Sequence, residues 1–291
     1  KRSPKPKWIR RRLPSGPEYE KIRSMLKAGR LHTVCQEAQC PNIWECFSCG
    51  TATFLILGSR CSRNCTFCAV ASGPDGPPDP QEPSRVAEAA AALKLSYVVV
   101  TSVTRDDLKD GGAGQFVETI RRLKEKIDRV RVEVLIPDFS GDKEALKAVL
   151  DAAPDVLNHN IETVERLYPA VRPQAVYKRS LELIRRAGDM APDIPTKSGM
   201  MLGLGETQEE IRSALKDLRS VGCRMLTLGQ YLQPSRAHLA VERYVTPEEF
   251  AGWKTEAREM GFVQVASGPL VRSSYHAGAL FDGKAEPAGG G

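Results

Sequence analysis

The sequence has no apolar run that could cross a bilayer. Its apolar stretches, such as 98–100 and 200–204, are a few residues long, where a membrane helix needs about 20. The basic start, KRSPKPKWIRRRLP, has no apolar core, so a secretory signal is not expected. Histidine is scarce, with four in 291 residues, and none stands near the later cysteines at zinc-ligand spacing. No G-x-G-x-x-G follows the first predicted strand, which removes the dinucleotide-binding signature. The net charge of +6 comes with no nucleic-acid recognition motif, so neither nucleic acid nor a membrane is expected as partner. No coiled-coil repeat points to an oligomeric state.

What the chain does have is clustered cysteine. Seven of its eight cysteines fall within the 34 residues 35–68. Disulfide scaffolds are shorter and secreted, so clustering in a chain without a secretory signal points to metal binding and reduced thiols. That predicts a cytoplasmic protein, and the short N-terminus fits a bacterial cytoplasm. The chain does not begin with Met, which leaves a trimmed organelle transit sequence open. Arg10, Arg11 and Arg12 form either a solvated basic arm or an attraction to an acidic partner.

From residue 54 onward strands and helices alternate. Strands are predicted at 54–58, 97–101, 130–136, 156–161, 197–202, 225–231 and 263–266, and helices at 84–94, 114–128, 142–152, 176–188, 207–221 and 247–260. Thr207 with Glu210 and Thr246 with Glu249 fit capping boxes, with Pro247 at the first helical position. Gly188, Gly222 and Gly261 fit helix C-termini. Phe116, Ile120, Leu123 and Ile127 make one apolar stripe, and Ile211, Leu215, Leu218 and Val221 another. Short apolar strands alternating with helices imply a parallel sheet buried on both faces. Six βα units suit an open, partial (β/α)6 TIM-like barrel, with a doubly wound sheet as the alternative. The expected division is an N-terminal cysteine-rich extension at 1–53, a barrel at 54–268 and a C-terminal segment at 269–291 covering the barrel mouth.

The second cysteine group, Cys61-Ser-Arg-Asn-Cys65-Thr-Phe-Cys68, is spaced C-x3-C-x2-C just after strand one, where barrels place their active sites. Three thiolates suit an iron–sulfur cube with one iron left open; zinc normally wants four ligands. The C-x3-C-aromatic-C pattern resembles the radical S-adenosylmethionine (SAM) superfamily. That resemblance implies a 4Fe-4S cluster on Cys61, Cys65 and Cys68 whose fourth iron is chelated by SAM. It also implies cofactor contacts at Phe67, at Asn160 and Glu162, and at Gly203 and Gly205 in the run Met201-Leu-Gly-Leu-Gly-Glu206. The two glycines also read as plain turn residues.

The first group, Cys35, Cys40 and Cys46, is spaced C-x4-C-x5-C; taken alone it reads as a zinc knuckle or an electron-transfer cluster. With Pro41-Asn42, Glu45, Arg12-Leu-Pro14, 32–35, Thr104-Arg-Asp-Asp107, Leu135-Ile-Pro-Asp138 and the terminal Arg272-Ser-Ser-Tyr275, the chain is similar to the lipoyl synthases over nearly its whole length. The resemblance implies a second, auxiliary 4Fe-4S cluster on Cys35, Cys40 and Cys46. The resemblance also implies a serine as its fourth ligand, placed by the motif at Ser274, with Arg272 either holding that serine or favouring its deprotonated form. A hard oxygen on iron is more easily displaced than a thiolate.

The implied reaction inserts two sulfur atoms, at C6 and C8 of an octanoyl chain on a carrier lysine, with the auxiliary cluster as sulfur donor and two SAM molecules consumed. The implied partners are an octanoylated lipoyl carrier (a 2-oxoacid dehydrogenase E2 lipoyl domain or the glycine cleavage H protein), a flavodoxin or ferredoxin, and an iron–sulfur carrier that rebuilds the cluster. Lipoyl carriers are commonly acidic, so Lys7 and Arg10–Arg12 are expected to steer docking. Rival readings are another two-cluster sulfur-inserting radical enzyme and a non-catalytic cluster- or zinc-binding electron carrier. Cys49 and Cys223 match neither group; Cys223 reads as a small buried hydrophobe.

Overall fold

A computed structural model describes residues 5–9, 24, 29, 31–33, 51–73 and 76–283. The auxiliary cysteines Cys35, Cys40 and Cys46, together with Cys49 and Arg10–Arg12, lie outside the described residues. The chain divides into two compact units, one drawn from 12–64 and 69–158, the other from 1–11, 65–68 and 159–291.

The first unit carries strands β1 (Thr51–Ile56), β2 (Tyr97–Ser102), β3 (Arg131–Leu135) and β4 (Val156–Asn158). They pair in parallel in chain order, with Phe54 opposite Val100 and Val100 opposite Val134. A two-residue strand, His32–Thr33, adds antiparallel to β1. Helices α1 (Glu82–Ala92), α2 (Ala113–Lys126) and α3 (Lys143–Asp151) follow the first three strands. Phe116, Ile120 and Leu123 of the expected stripe are fully buried on α2, as a helical period requires. Strand β1 stops earlier than the apolar run suggests. Leu57 turns to φ 70°, and its N–H is taken by the buried Glu82 carboxylate at 2.9 Å.

The second unit carries β5 (Thr196–Leu202), β6 (Met225–Gln230) and β7 (Gln264–Gly268), again parallel in chain order. Its long helices are α4 (Tyr177–Met190), α5 (Gln208–Ser220) and α6 (Pro247–Glu259). Both expected capping boxes are formed, at Thr207/Glu210 and at Thr246/Glu249. Gly222 and Gly261 close their helices at φ 82° and 93°. Gly188 does not: α4 runs through it to Met190, because Ala191 N–H still reaches the Ala187 carbonyl. Cys223 is fully buried, and burial pushes its thiol up to about 12, so it packs as a small hydrophobe.

Seven parallel strands with intervening helices make an α/β fold of the partial-barrel kind. The expected fourth strand, 156–161, is regular only to Asn158, but an isolated parallel bridge joins Glu162 to Met200. Along this stretch successive side chains alternate in direction. His159 points to Ser180 on α4, with Nε2 to Oγ at 2.9 Å. Asn158 turns the other way, donating to Glu133 at 3.0 Å beside the Tyr97 hydroxyl.

Candidate active site

The turn that carries Cys61 is built by ion pairs. Arg60–Cys61 pairs with Ala71–Ser72 in a two-residue parallel ladder that pinches the base of the loop. The Cys61 sulfur accepts the N–H groups of Arg63 at 3.4 Å and Thr104 at 3.3 Å. Ser62 is tied to the Thr104 carbonyl through its own N–H and hydroxyl. Arg63, only 5% exposed, reaches Asp106 at 2.7 Å and Asp138, itself 1% exposed, at 2.5 Å. Burial works against its charge, but the hydrogen bonds and charges of the two aspartates hold the guanidinium protonated well above its ordinary range. Arg105, also buried, forks onto Asp107 and donates to the carbonyls of Gly76 and Leu57. The Thr104–Asp107 and 135–138 motifs, which in the sequence carried only a resemblance, thus fix the backbone around Cys61.

In the second unit, Cys65 and Cys68 sit in a tight turn closed by Cys68 N–H on the Cys65 carbonyl. Thr66 holds that turn from both sides. Its N–H and hydroxyl donate to the carbonyls of Val171 and Ala170, and its carbonyl accepts Leu239 N–H. His238 Nε2 lies 2.9 Å from the Cys68 carbonyl, so this nitrogen carries the proton. Its Nδ1 faces the Ser235 hydroxyl at 2.8 Å. Phe67 packs on Val171, Leu204 and Tyr231, beside Met201 and Val241.

Next to Phe67's wall lies a polar cradle. Glu162 takes φ 65°, a left-handed conformation that bulky residues avoid, and is held there by backbone bonds to Gly199 and Met201. The Asn160 amide donates to Glu162 at 3.0 Å and to Ser273 at 2.7 Å, while its buried carbonyl oxygen has no partner among the described residues. Arg172 pins the backbone carbonyls of Asn160 and Ile161 at 3.0 and 3.2 Å. Burial raises the Glu162 carboxyl; Arg172 and the Asn160 amide pull it back only in part. Backbone strain, a raised carboxyl and an orphaned amide oxygen together mark a site formed to meet a ligand.

Gly203 and Gly205 take φ 97° and 104°. Glu206 bridges this turn, accepting Gly203 N–H at 2.6 Å and Leu204 N–H at 2.8 Å. A Cβ on Gly203 would stand 2.3 Å from Gln230 Nε2 and 2.4 Å from the Arg243 carbonyl. Gly203→Ala is therefore expected to cost more stability than the ~1–2 kcal/mol of left-handed strain alone, seen as a lower melting temperature. An unchanged melt in thermal denaturation would show that the turn has room to spare.

The C-terminal motif lies on strand backbone. The Val271 carbonyl is 2.1 Å from where a Cβ on Gly229 of β6 would be. Arg272-Ser-Ser-Tyr275 closes as a turn, Tyr275 N–H to Arg272 carbonyl at 3.0 Å, and the Tyr275 and His276 rings meet at 4.2 Å. The two serines differ. Ser273 Oγ accepts from Asn160; the half-buried Ser274 hydroxyl makes no hydrogen bond among the described residues.

Of the site residues expected from sequence, the structure brings Asn160 and Glu162 together and packs Phe67 beside the glycine turn. It describes Cys61 with one unit and Cys65 and Cys68 with the other. Among the described residues no three His, Cys, Asp or Glu side chains group into a metal site by geometry alone, so the fit of a cluster is judged on the donors. Cys61, Cys65 and Cys68 are half-exposed and outside any disulfide. Cys61 already receives two backbone N–H groups, the kind of hydrogen bond that tunes a cluster's potential. The donor set fits. Sequence reasoning missed Arg172, Gly199, Gln230 and His238, none of which has a local signal; Ser273 lay in the Arg-Ser-Ser-Tyr motif but was given no role. Glu206 was within reach, since it follows the two turn glycines directly.

Residues 55–218 match the model of the radical SAM superfamily, and residues 1–40 match the N-terminal domain of lipoyl synthase of that family. The chain is 58% identical over 277 residues to the lipoyl synthase of Desulfotalea psychrophila, covering 95% of this chain and 93% of that one. It is 59% identical over 274 residues to that of Methylococcus capsulatus, covering 94% and 85%. Among solved structures, the FeFe-hydrogenase maturase of Carboxydothermus hydrogenoformans superposes with a TM-score of 0.60 at 14% identity, covering 85% of this chain and 65% of that one, a likeness of fold.

Proposed function

The chain belongs to the lipoyl synthase family of radical SAM enzymes, and from that premise we propose how its own residues divide the work. The enzyme is a sulfurtransferase that uses SAM and two 4Fe-4S clusters and acts on a lipoyl carrier. The match along 95% of the chain at 58% identity carries this reading. When bound, these groups supply a 5′-deoxyadenosyl radical, strong enough to take hydrogen from an unactivated C–H bond, and the sulfur that replaces it.

Cys61, Cys65 and Cys68 hold the reductive cluster, and Cys35, Cys40, Cys46 and Ser274 the auxiliary one, with Arg272 steadying the serine. Phe67 and the glycine turn at Gly203 and Gly205 make the apolar wall for adenine. Asn160 and Glu162 take the ribose hydroxyls, and Asn160's unpartnered carbonyl oxygen is an acceptor suited to one of them. Functionally the chain reads as an extension over 1–53, a barrel over 54–268 and a closing segment over 269–291. No side chain can deprotonate an alkyl C–H, so the protein's task is to hold reactants in register and keep water out. The carrier is an E2 lipoyl domain or an H protein, the electron donor a flavodoxin or ferredoxin, and a cluster carrier restores the spent cube. Among the described residues no helix is long and apolar enough to cross a membrane.

The reading is tested by anaerobic incubation of the reconstituted enzyme with an octanoyl-lysine peptide, SAM and a reductant. Mass spectrometry is expected to show a one-sulfur product that is consumed into a two-sulfur product. SAM cleavage with no sulfur entering the peptide would defeat it.

A further inference from the structure

Ser273 and Ser274 are adjacent, yet only Ser273 is tied into the polar cradle. The Asn160 amide has two hydrogens, and both are used, one on Glu162 Oε1 at 3.0 Å and one on Ser273 Oγ at 2.7 Å. The backbone beneath Asn160 does not give, because Arg172 holds its carbonyl at 3.0 Å. The C-terminal segment is clasped against two strands at glycines. The Val271 carbonyl lies 2.1 Å from a Cβ position on Gly229, and Ser273 Oγ lies 3.0 Å from one on Gly199. Gly199 and Gly229 are in β5 and β6, two strands paired side by side. A side chain at Gly229 would push the segment off, and one at Gly199 would crowd Thr227 Oγ1 at 2.6 Å and Asn160 Oδ1 at 2.8 Å as well as Ser273. The Asn160–Ser273 bond is a polar tether between this segment and the cradle.

We infer that Ser273 is a positioning residue that couples occupancy of the Asn160–Glu162 cradle to the placement of Ser274. This rests on the reading above, in which the cradle takes the cofactor's ribose and Ser274 ligates the auxiliary cluster. A hydroxyl ligand arriving at Glu162 and at the open oxygen of Asn160 fixes the amide's orientation. That amide is one hydrogen bond from Ser273, and Ser273 is one peptide bond from Ser274. Ser274 is thereby held firmly when the cofactor is in place and less firmly when it is not. Radical formation and readiness of the sulfur-donating cluster are thus linked through one side-chain bond.

The test uses the holoenzyme and S-adenosylhomocysteine, which cannot be cleaved to a radical. Hydrogen–deuterium exchange of the 271–277 backbone is followed with and without it. In the wild type the ligand is expected to slow exchange about fivefold, the worth of roughly one hydrogen bond. Ser273→Ala is expected to bind the ligand yet show no slowing, and Ser273→Thr, which keeps the hydroxyl, to restore it. In turnover, Ser273→Ala should release more than one 5′-deoxyadenosine per sulfur inserted, whereas Ser273→Thr stays near one. Equal ligand-dependent slowing and equal coupling in wild type and Ser273→Ala would overturn the inference and leave the functional reading standing. Failure of the wild type to bind the ligand would defeat both.

Discussion

Cys65→Ala is expected to take the reconstituted protein from about eight irons to about four and to abolish SAM cleavage. Ser274→Ala is expected to go on forming 5′-deoxyadenosine while transferring no sulfur. The contrast follows from what each residue does in the proposed site. Cys65 lies in the turn closed onto Cys68 and held by Thr66, and Arg172 lies near enough for the Cys65 charge to help keep that guanidinium protonated. Removing its sulfur leaves two thiolates for a cube that needs three protein ligands to leave a single iron open. Ser274 sits in the C-terminal turn, and its hydroxyl has no hydrogen bond to lose among the described residues. Its replacement therefore leaves the fold intact and removes only an iron ligand. Iron analysis, deoxyadenosine release and peptide mass spectrometry together check the pair. If Ser274→Ala inserted sulfur at the wild-type rate, Ser274 would not be the auxiliary ligand.

Arg63→Met is expected to cost about 3–5 kcal/mol of stability, the largest loss anticipated for a substitution outside the cluster ligands. The guanidinium is 5% exposed and Asp138 1%. Deleting it takes the Arg63 countercharge from the buried Asp138 carboxylate and frees the turn whose N–H groups meet the Cys61 sulfur. The double variant Arg63→Met/Asp138→Leu removes both charges and is expected to recover much of the loss, because the stranded charge causes most of it. Chemical denaturation of the wild type, both single variants and the double variant measures the coupling. A double variant as unstable as the sum of its singles would show that the pair does not act as a unit.

Much of this was legible along the chain. The parallel α/β alternation follows from apolar strands between amphipathic helices, and the capping boxes at Thr207 and Thr246 formed where their side chains required. The end of β1 was not legible, because Leu57 is turned by a carboxylate from Glu82 twenty-five residues later. Nor was Gly188, which reads as a helix stop but lies within a helix whose hydrogen bonds continue past it.

The sequence by itself determined the chemistry. Spacing of three or four residues is local, so Cys61, Cys65 and Cys68 suggest a proposed ligand set without any fold, while the Arg-Ser-Ser-Tyr motif enters only through the family resemblance. Tertiary structure alone decided the supports. Arg63 finds Asp138 across 75 residues and Asn160 finds Ser273 across 113. A hydrogen bond leaves no spacing rule when the intervening chain is free to take any length. It also decided which of two adjacent serines stays available. Identical side chains on neighbouring residues point in different directions, and only the backbone's course against Gly199 and Gly229 sets which one meets Asn160.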